Sequence, residues 1–233
     1  MTTQTIRHKG PNLGLLAVIF AVLFCTGLSY VIAFRAGLPH YPGPWESSAT
    51  IVQYFQGQPQ NVLMCSFFHF CSAIPLGIFT ATAVSRLGFL GSRAAGNNIA
   101  LFGGFLTAFG VVISSLIGWV MAYPHIAADE NVIRTLYYVA FAIGGVGYSV
   151  PLGLLIAGIS VTSFFLKALP KWLCIFGILI ALIGELSSLF MLVPKLIYLI
   201  PLTRFPGFIW LILAGFKLPS TVVRPSVVAK SLV

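Results

Sequence analysis

A chain of 233 residues with 58% hydrophobic and only 7% charged side chains cannot clothe a water-soluble surface, since ordinary soluble domains carry about 25% charged residues. Thirteen Lys and Arg against four carboxylates give a formal charge of +9, yet the basic residues stand singly or in pairs between apolar runs. That is the arrangement of membrane-flanking anchors, not of a phosphate-tracking patch, so a soluble enzyme and a nucleic-acid binder are excluded and a lipid bilayer is the implied partner.

Six runs are long enough to span, because a hydrocarbon core of roughly 30 Å needs about 20 apolar residues. In chain order they cover 13–34, 61–84, 99–123, 136–165, 172–193 and 196–216. The expected fold is an all-α polytopic transmembrane bundle forming one unit over 1–218, with a mobile cytoplasmic tail at 219–233. Arg7, His8 and Lys9 before the first run also suit a secretory signal, but the run outlasts the usual signal core and no small-residue cleavage site precedes Arg35. It is read as a span. Pro201, Arg204 and Pro206 interrupt the sixth run, which leaves its continuity open between a full span and a re-entrant segment.

Orientation follows from Lys and Arg. An N-terminus inside puts Arg7, Lys9, Arg86, Arg93, Lys167, Lys171, Lys217, Arg224 and Lys230 in the cytoplasm, and Arg35, Arg134, Lys195 and Arg204 on the outer side. This bias predicts both termini cytoplasmic, as six spans require. The longest connection, 35–60, lies outside and holds a Pro- and Gly-rich stretch, 38–44, followed by a short surface helix over 45–55 anchored by Trp45, Tyr54 and Phe55.

Cys25, Cys65, Cys71 and Cys174 all fall within spans, so they form no exposed disulfide framework. Cys65 and His69 have a ligand-like spacing, which a buried thiol beside a hydrogen-bonded imidazole explains as well; no metal and no cofactor is expected. His69 is the sole His inside a span, which argues against a b-type haem.

At 100° per residue, small residues line one stripe on each of four helices. The stripes are Ser66, His69, Ala73, Gly77 and Thr80; Gly103, Thr107, Gly110, Ser114 and Gly118; Ala140, Gly144, Gly147, Pro151 and Gly158; and Gly177, Ala181, Gly184, Glu185 and Ser188. Such faces pack helices closely. Pro75 and Pro151 are expected to kink the second and fourth spans.

Glu185 is the one carboxylate inside a span, where a charge costs several kcal/mol unless paired, neutralised or wet. Glu185, His69 and Arg204 each lie about eight residues, roughly 12 Å, from the outer boundary, with Ser114 at similar depth. They form either an outward-facing polar pocket with Glu185 as ligand or proton site, or a buried ion pair that fixes helix packing. The chain lacks H-E-x-x-H, G-x-S-x-G, a P-loop and a second intramembrane acid, which points away from an enzyme. No matching Gly and Pro breaks mark an inverted repeat.

The segments ALPKWL at 168–173 and RFPGFIWLILAGFKLP at 204–219 resemble the closing helices of a broad group of uncharacterised bacterial six-span membrane proteins bearing a domain-of-unknown-function label. The stretch 45–90 is similar to that group's first half, through Gln58, Pro59, the Pro75-Leu76-Gly77 span and Ser85-Arg86-Leu87. The resemblance implies a bacterial inner-membrane location and no activity. Two functions follow as expectations: first, an accessory or regulatory protein acting through a membrane-protein partner or a second copy of itself, and second, a carrier or receptor for a small ligand or proton using Glu185, His69 and Arg204.

Overall fold

The computed structural model describes residues 3–32 and 39–225. It is helical throughout except for a two-stranded ribbon. In chain order the elements are β1 (Thr3–Arg7), α1 (Leu13–Leu28), α2 (Ser48–Gly57), α3 (Pro59–Phe89), α4 (Ala95–Met121), the single turn α5 (Pro124–Ala127), α6 (Glu130–Gly144), α7 (Val146–Leu166), α8 (Lys171–Leu186), α9 (Leu199–Lys217) and β2 (Thr221–Pro225). Two 3-10 segments, Ser187–Met191 and Pro194–Tyr198, join α8 to α9.

Five helical stretches are long and apolar enough to cross a bilayer: Pro59–Phe89, Ala95–Met121, Glu130–Leu166, Lys171–Met191 and Pro194–Lys217. Their outer faces carry exposed Phe102, Phe109, Leu179, Ile209 and similar side chains, as hydrocarbon requires. α1 has 16 residues and rises about 24 Å, short of a full crossing by itself. The last two residues of the first expected span, 33–34, and the start of the long connection, including Arg35, lie outside the described residues.

Three expectations about continuity change. The sixth span is unbroken: Leu199–Lys217 is one helix with Pro201 and Pro206 inside it. The fourth is broken at Gly145 (φ −91°, ψ −95°) between α6 and α7, while Pro151, the expected kink, sits within the continuous helix α7. Residues 221–225, assigned from sequence to a mobile tail, pair antiparallel with β1, Thr5 opposite Val223; the rest of that tail, 226–233, lies outside the described residues.

The ribbon brings both ends of the chain to one end of the bundle. An isolated two-stranded ribbon is marginal in water, so its anchorage matters. Arg86, 6% exposed near the end of α3, donates from its guanidinium to the carbonyls of Leu218 (3.2 Å) and Pro11 (3.3 Å), tying together the segments next to both strands. His8 Nε2 lies 3.0 Å from Ser85 Oγ and its ring packs edge-on against Phe89.

The central packing unit is α7, which touches α4 on one side and α8 on the other. A Cβ on Gly158 would stand 2.5 Å from the Gly96 carbonyl and 2.6 Å from the Ala100 nitrogen, and one on Gly103 would stand 2.6 Å from backbone of both Pro151 and Leu155. The α4–α7 backbones therefore meet where no side chain fits. Along α8, Gly177, Ala181 and Gly184 are buried against α7 and α9, with Trp210 and Ser160 over Gly177. Gly147, expected on a packing stripe, is exposed beside the helix break while its carbonyl lies against Gly110 of α4.

At the opposite end from the termini, α2 caps the bundle. Its apolar face, Ile51, Val52 and Phe55, is buried in a second core with Val62, Met121, Ile133 and Tyr137. Ser47 caps the helix by accepting from the Thr50 amide at 3.1 Å. The surface helix expected over 45–55 is thus found at 48–57, held by burial as well as by its aromatic residues.

Candidate functional site: a cavity with an unpaired arginine

Between the two cores the helices part around a cavity of about 320 Å³. Its walls come from α1, α3, α4, α6, α7 and α9, and Tyr41 and Phe55 stand over it at the α2 end. The size falls at the lower end of small-molecule sites, and most of the lining is apolar with a few polar groups.

The layer around Arg204 holds the chemistry. Phe24 of α1 is its centre: His69 stacks on its ring at 4.1 Å between centroids, and the Arg204 guanidinium carbon lies 5.3 Å from the same ring. Tyr148 takes the other side of Arg204, with its ring centroid 4.7 Å from that carbon. Two aromatic faces thus flank one cation, a favourable arrangement worth most where water is scarce. One guanidinium nitrogen donates to the Gly144 carbonyl, the last residue of α6. The break at Gly145 turns the carbonyl end of α6 toward Arg204, and the negative end of the helix dipole adds to the attraction.

Most other donors around the cavity are used within the protein. His69 Nε2 donates to the Phe24 carbonyl at 3.1 Å, and its Nδ1 lies 3.6 Å from the Cys65 thiol. Ser114 donates to the Ala140 carbonyl (3.0 Å) and Ser115 to the Val111 carbonyl (2.6 Å). Of the eight buried side-chain polar atoms without a partner among the described residues, two belong to residues lining the cavity, Arg204 Nε and the Tyr148 hydroxyl, the latter on a side chain only 1% exposed.

No carboxylate answers Arg204. All four side-chain carboxylates of the chain, Glu46, Asp129, Glu130 and Glu185, belong to the described residues, and the sole ion pair there is His40 with Glu46 at 3.0 Å. Of the residues expected to cluster, the structure brings His69, Ser114 and Arg204 to the cavity and leaves Glu185 out. Glu185 is exposed on α8, its carboxylate beside Gly153 of α7. The Glu185–Arg204 pair expected from matched depths does not form, because depth places two residues on one level and only helix rotation decides whether they face each other. Cys65 and His69 do sit together, as thiol and imidazole, and the described residues hold no group of three or more potential metal ligands.

Phe24, Tyr148 and Gly145 were not singled out from sequence. The run Gly144-Gly145-Val146-Gly147 is a visible signal for the break, but a packing stripe explains the same glycines equally well. No protein-family model, no curated protein and no solved structure matches this chain. The cavity is therefore interpreted from its own geometry.

The α2 end of the cavity carries a pH-sensitive brace. Glu46 accepts from the Gly43 amide at 2.7 Å and pairs with His40, closing residues 40–46 into a loop that carries Tyr41. The Gly43 N–H, with a smaller part from His40, holds the Glu46 carboxyl below its ordinary value of 4.5. A depressed carboxylate supports the loop at all pH above its unfolded value and loses that support as pH falls through the lower folded value. Trp45 emission, read in a variant whose other tryptophans are replaced by Phe, is expected to change with a midpoint below pH 4.5, and Glu46→Gln is expected to remove the transition. An unchanged transition in Glu46→Gln would assign it to another group.

Proposed function

We propose that this chain is a multi-pass membrane protein that binds a small anionic ligand in the Arg204 cavity, as a receptor or carrier. The observation that carries this reading is a half-buried guanidinium with no carboxylate partner, facing a cavity beside an unpartnered phenol. A lone charge held out of water is costly, and it persists where an incoming charge compensates it. The reading keeps His69, Ser114 and Arg204 from the sequence-derived site and omits Glu185.

Part of the case for the partner-protein reading that the sequence puts first, beside the small chain and its lack of catalytic motifs, is support from small-residue faces. Gly103, Gly177 and Gly184 meet neighbouring helices of the same chain, so those faces are already occupied and that support falls away. The wider setting belongs to the same proposal: six spans, both termini cytoplasmic, in a bacterial inner membrane. It is supported by the meeting of β1 and β2 at one end of the bundle, which an even number of crossings requires, and by the excess of Lys and Arg in the segments assigned to that side.

The test uses Ser114→Cys in a chain whose four native cysteines are replaced, labelled from each side in turn by impermeant thiosulfonates of opposite charge. The sulfonate-bearing reagent is expected to react about tenfold faster than the trimethylammonium one, since a cationic cavity concentrates anions. Arg204→Gln should bring the ratio close to one. Equal rates in the parent, or no reaction from either side at both 114 and 66, would defeat the reading.

A further inference from the structure

We infer that the ligand is an amphiphilic monocarboxylate, bound with its carboxylate between Arg204 and the Tyr148 hydroxyl and its apolar body lying toward Tyr41 and Phe55. This inference rests on the anion-site reading above and narrows it to a chemical class.

The charge comes from counting. Among the described lining residues Arg204 is the one permanently charged side chain, so the described lining balances one negative charge and not two. That disfavours a phosphomonoester dianion. The geometry of the head follows from the free donors. Arg204 spends one nitrogen on the Gly144 carbonyl and keeps an unpartnered Nε, while the hydroxyl of Tyr148, whose ring flanks the guanidinium, is also unpartnered among the described residues. A planar anion with two acceptor oxygens uses both donors at once. His69, Ser114 and Ser115 have their donors committed to carbonyls and do not extend the polar site further.

The apolar body follows from the remaining wall. From the Arg204 level to the α2 end the cavity is lined by Leu28, Val31, Val62, Met121 and Phe55, a path without a further charge that suits hydrocarbon or an aromatic ring. The carboxylate lies at the Arg204 level, among the aromatic rings, and the tail toward the α2 end. The same chemistry belongs to a short-chain acid arriving from water and to a fatty acid resident in the leaflet.

The experiment measures saturable binding of radiolabelled octanoate to the protein in nanodiscs of zwitterionic lipid, corrected for empty nanodiscs. Competitors are acetate, butyrate, hexanoate, octylammonium, octanol, octyl phosphate and palmitate. Each added methylene from butyrate to octanoate is expected to tighten binding about fourfold, the factor equivalent to about 0.8 kcal/mol per buried methylene. Octyl phosphate, octanol and octylammonium should each compete at least about tenfold less well. Arg204→Gln should weaken octanoate by a hundredfold or so and Tyr148→Phe by about tenfold, the loss of one hydrogen bond to a charged group, while Arg134→Gln, exposed on α6 and outside the cavity lining, is the comparison variant expected to bind normally. Competition by palmitate at equal bilayer loading identifies the leaflet as the source, and its failure identifies water; either is consistent with the class. If octyl phosphate binds as well as octanoate and both need Arg204, the monocarboxylate class is wrong and the anion site stands. If acetate matches octanoate, the amphiphile is wrong. If none of the anions shows binding that depends on Arg204, the anion site falls with it.

Discussion

Arg204→Met is expected to unfold at a higher temperature than the parent while losing all charge selectivity at position 114. A guanidinium placed between Phe24 and Tyr148 without a counter-charge is held against its solvation, and replacing buried ionic groups by apolar ones of similar volume is often stabilising by about 1–4 kcal/mol. Against that stands the lost bond to the Gly144 carbonyl, worth about 1.5–3 kcal/mol for a charged donor. Midpoint against midpoint the balance is expected to be slightly favourable, by a few tenths of a kcal/mol, a rise of about 1 °C for a chain of this length. Thermal unfolding in mild detergent, in ligand-free buffer, reads it. A fall of more than about 2 kcal/mol would instead identify Arg204 as the clamp that secures the break between α6 and α7, and the ligand reading would lose its physical basis. Stability gained as binding is lost is what a site built for an external partner predicts, since such sites trade stability for function.

The second large effect concerns the α4–α7 contact. Gly158→Ala is expected to destabilise by about 2–3 kcal/mol, the upper range for a methyl forced into a filled site, because the groups it meets at 2.5 and 2.6 Å are backbone atoms of Gly96 and Ala100 and cannot rotate away. Gly158→Leu should not yield a folded bundle. Gly77→Ala is the matched comparison: its Cβ would meet nothing within 4 Å, so it is expected to be neutral or to stabilise by up to about 1 kcal/mol through its helix preference. Chemical denaturation of the three variants in one detergent checks the ordering. Equal effects at 158 and 77 would mean that the helices do not approach as closely as described. Since the walls of the cavity come from the helices this contact spaces apart, Gly158→Ala should also blunt labelling at position 114.

Much of this architecture is legible in the amino-acid order. The membrane class follows from 7% charged residues, and helix positions from the lengths of the apolar runs. Close-packing faces are readable as well: Gly103, Thr107, Gly110 and Gly118 on α4 are buried on one stripe as periodicity demands. So is the importance of His69, Ser114 and Arg204, polar side chains in places where polarity has a cost.

The fate of Glu185 shows where that legibility ends. A stripe drawn at 100° per residue is wide enough to hold both Gly184 and Glu185, yet a single residue step turns the second away from the first. Gly184 is buried against Ser149 and Thr203, and Glu185 is exposed. Depth along a helix comes from counting residues; azimuth comes from which neighbour the helix meets, and that depends on the whole bundle. Phe24 and Tyr148 escaped notice for the same reason, being ordinary aromatic residues until the fold sets a guanidinium between them. The break at Gly145 is a third case, since a glycine permits either a close contact or a change of direction and its neighbours choose.

Sequence by itself determined the solvent this protein lives in, the positions of its long apolar helices, and which few polar groups it carries into the apolar interior, because transfer free energy and helix geometry act residue by residue. Tertiary structure decided that Arg204 faces a cavity without an acid, because pairing depends on the relative rotation of helices far apart in the chain, and packing sets that rotation through contacts no local pattern encodes.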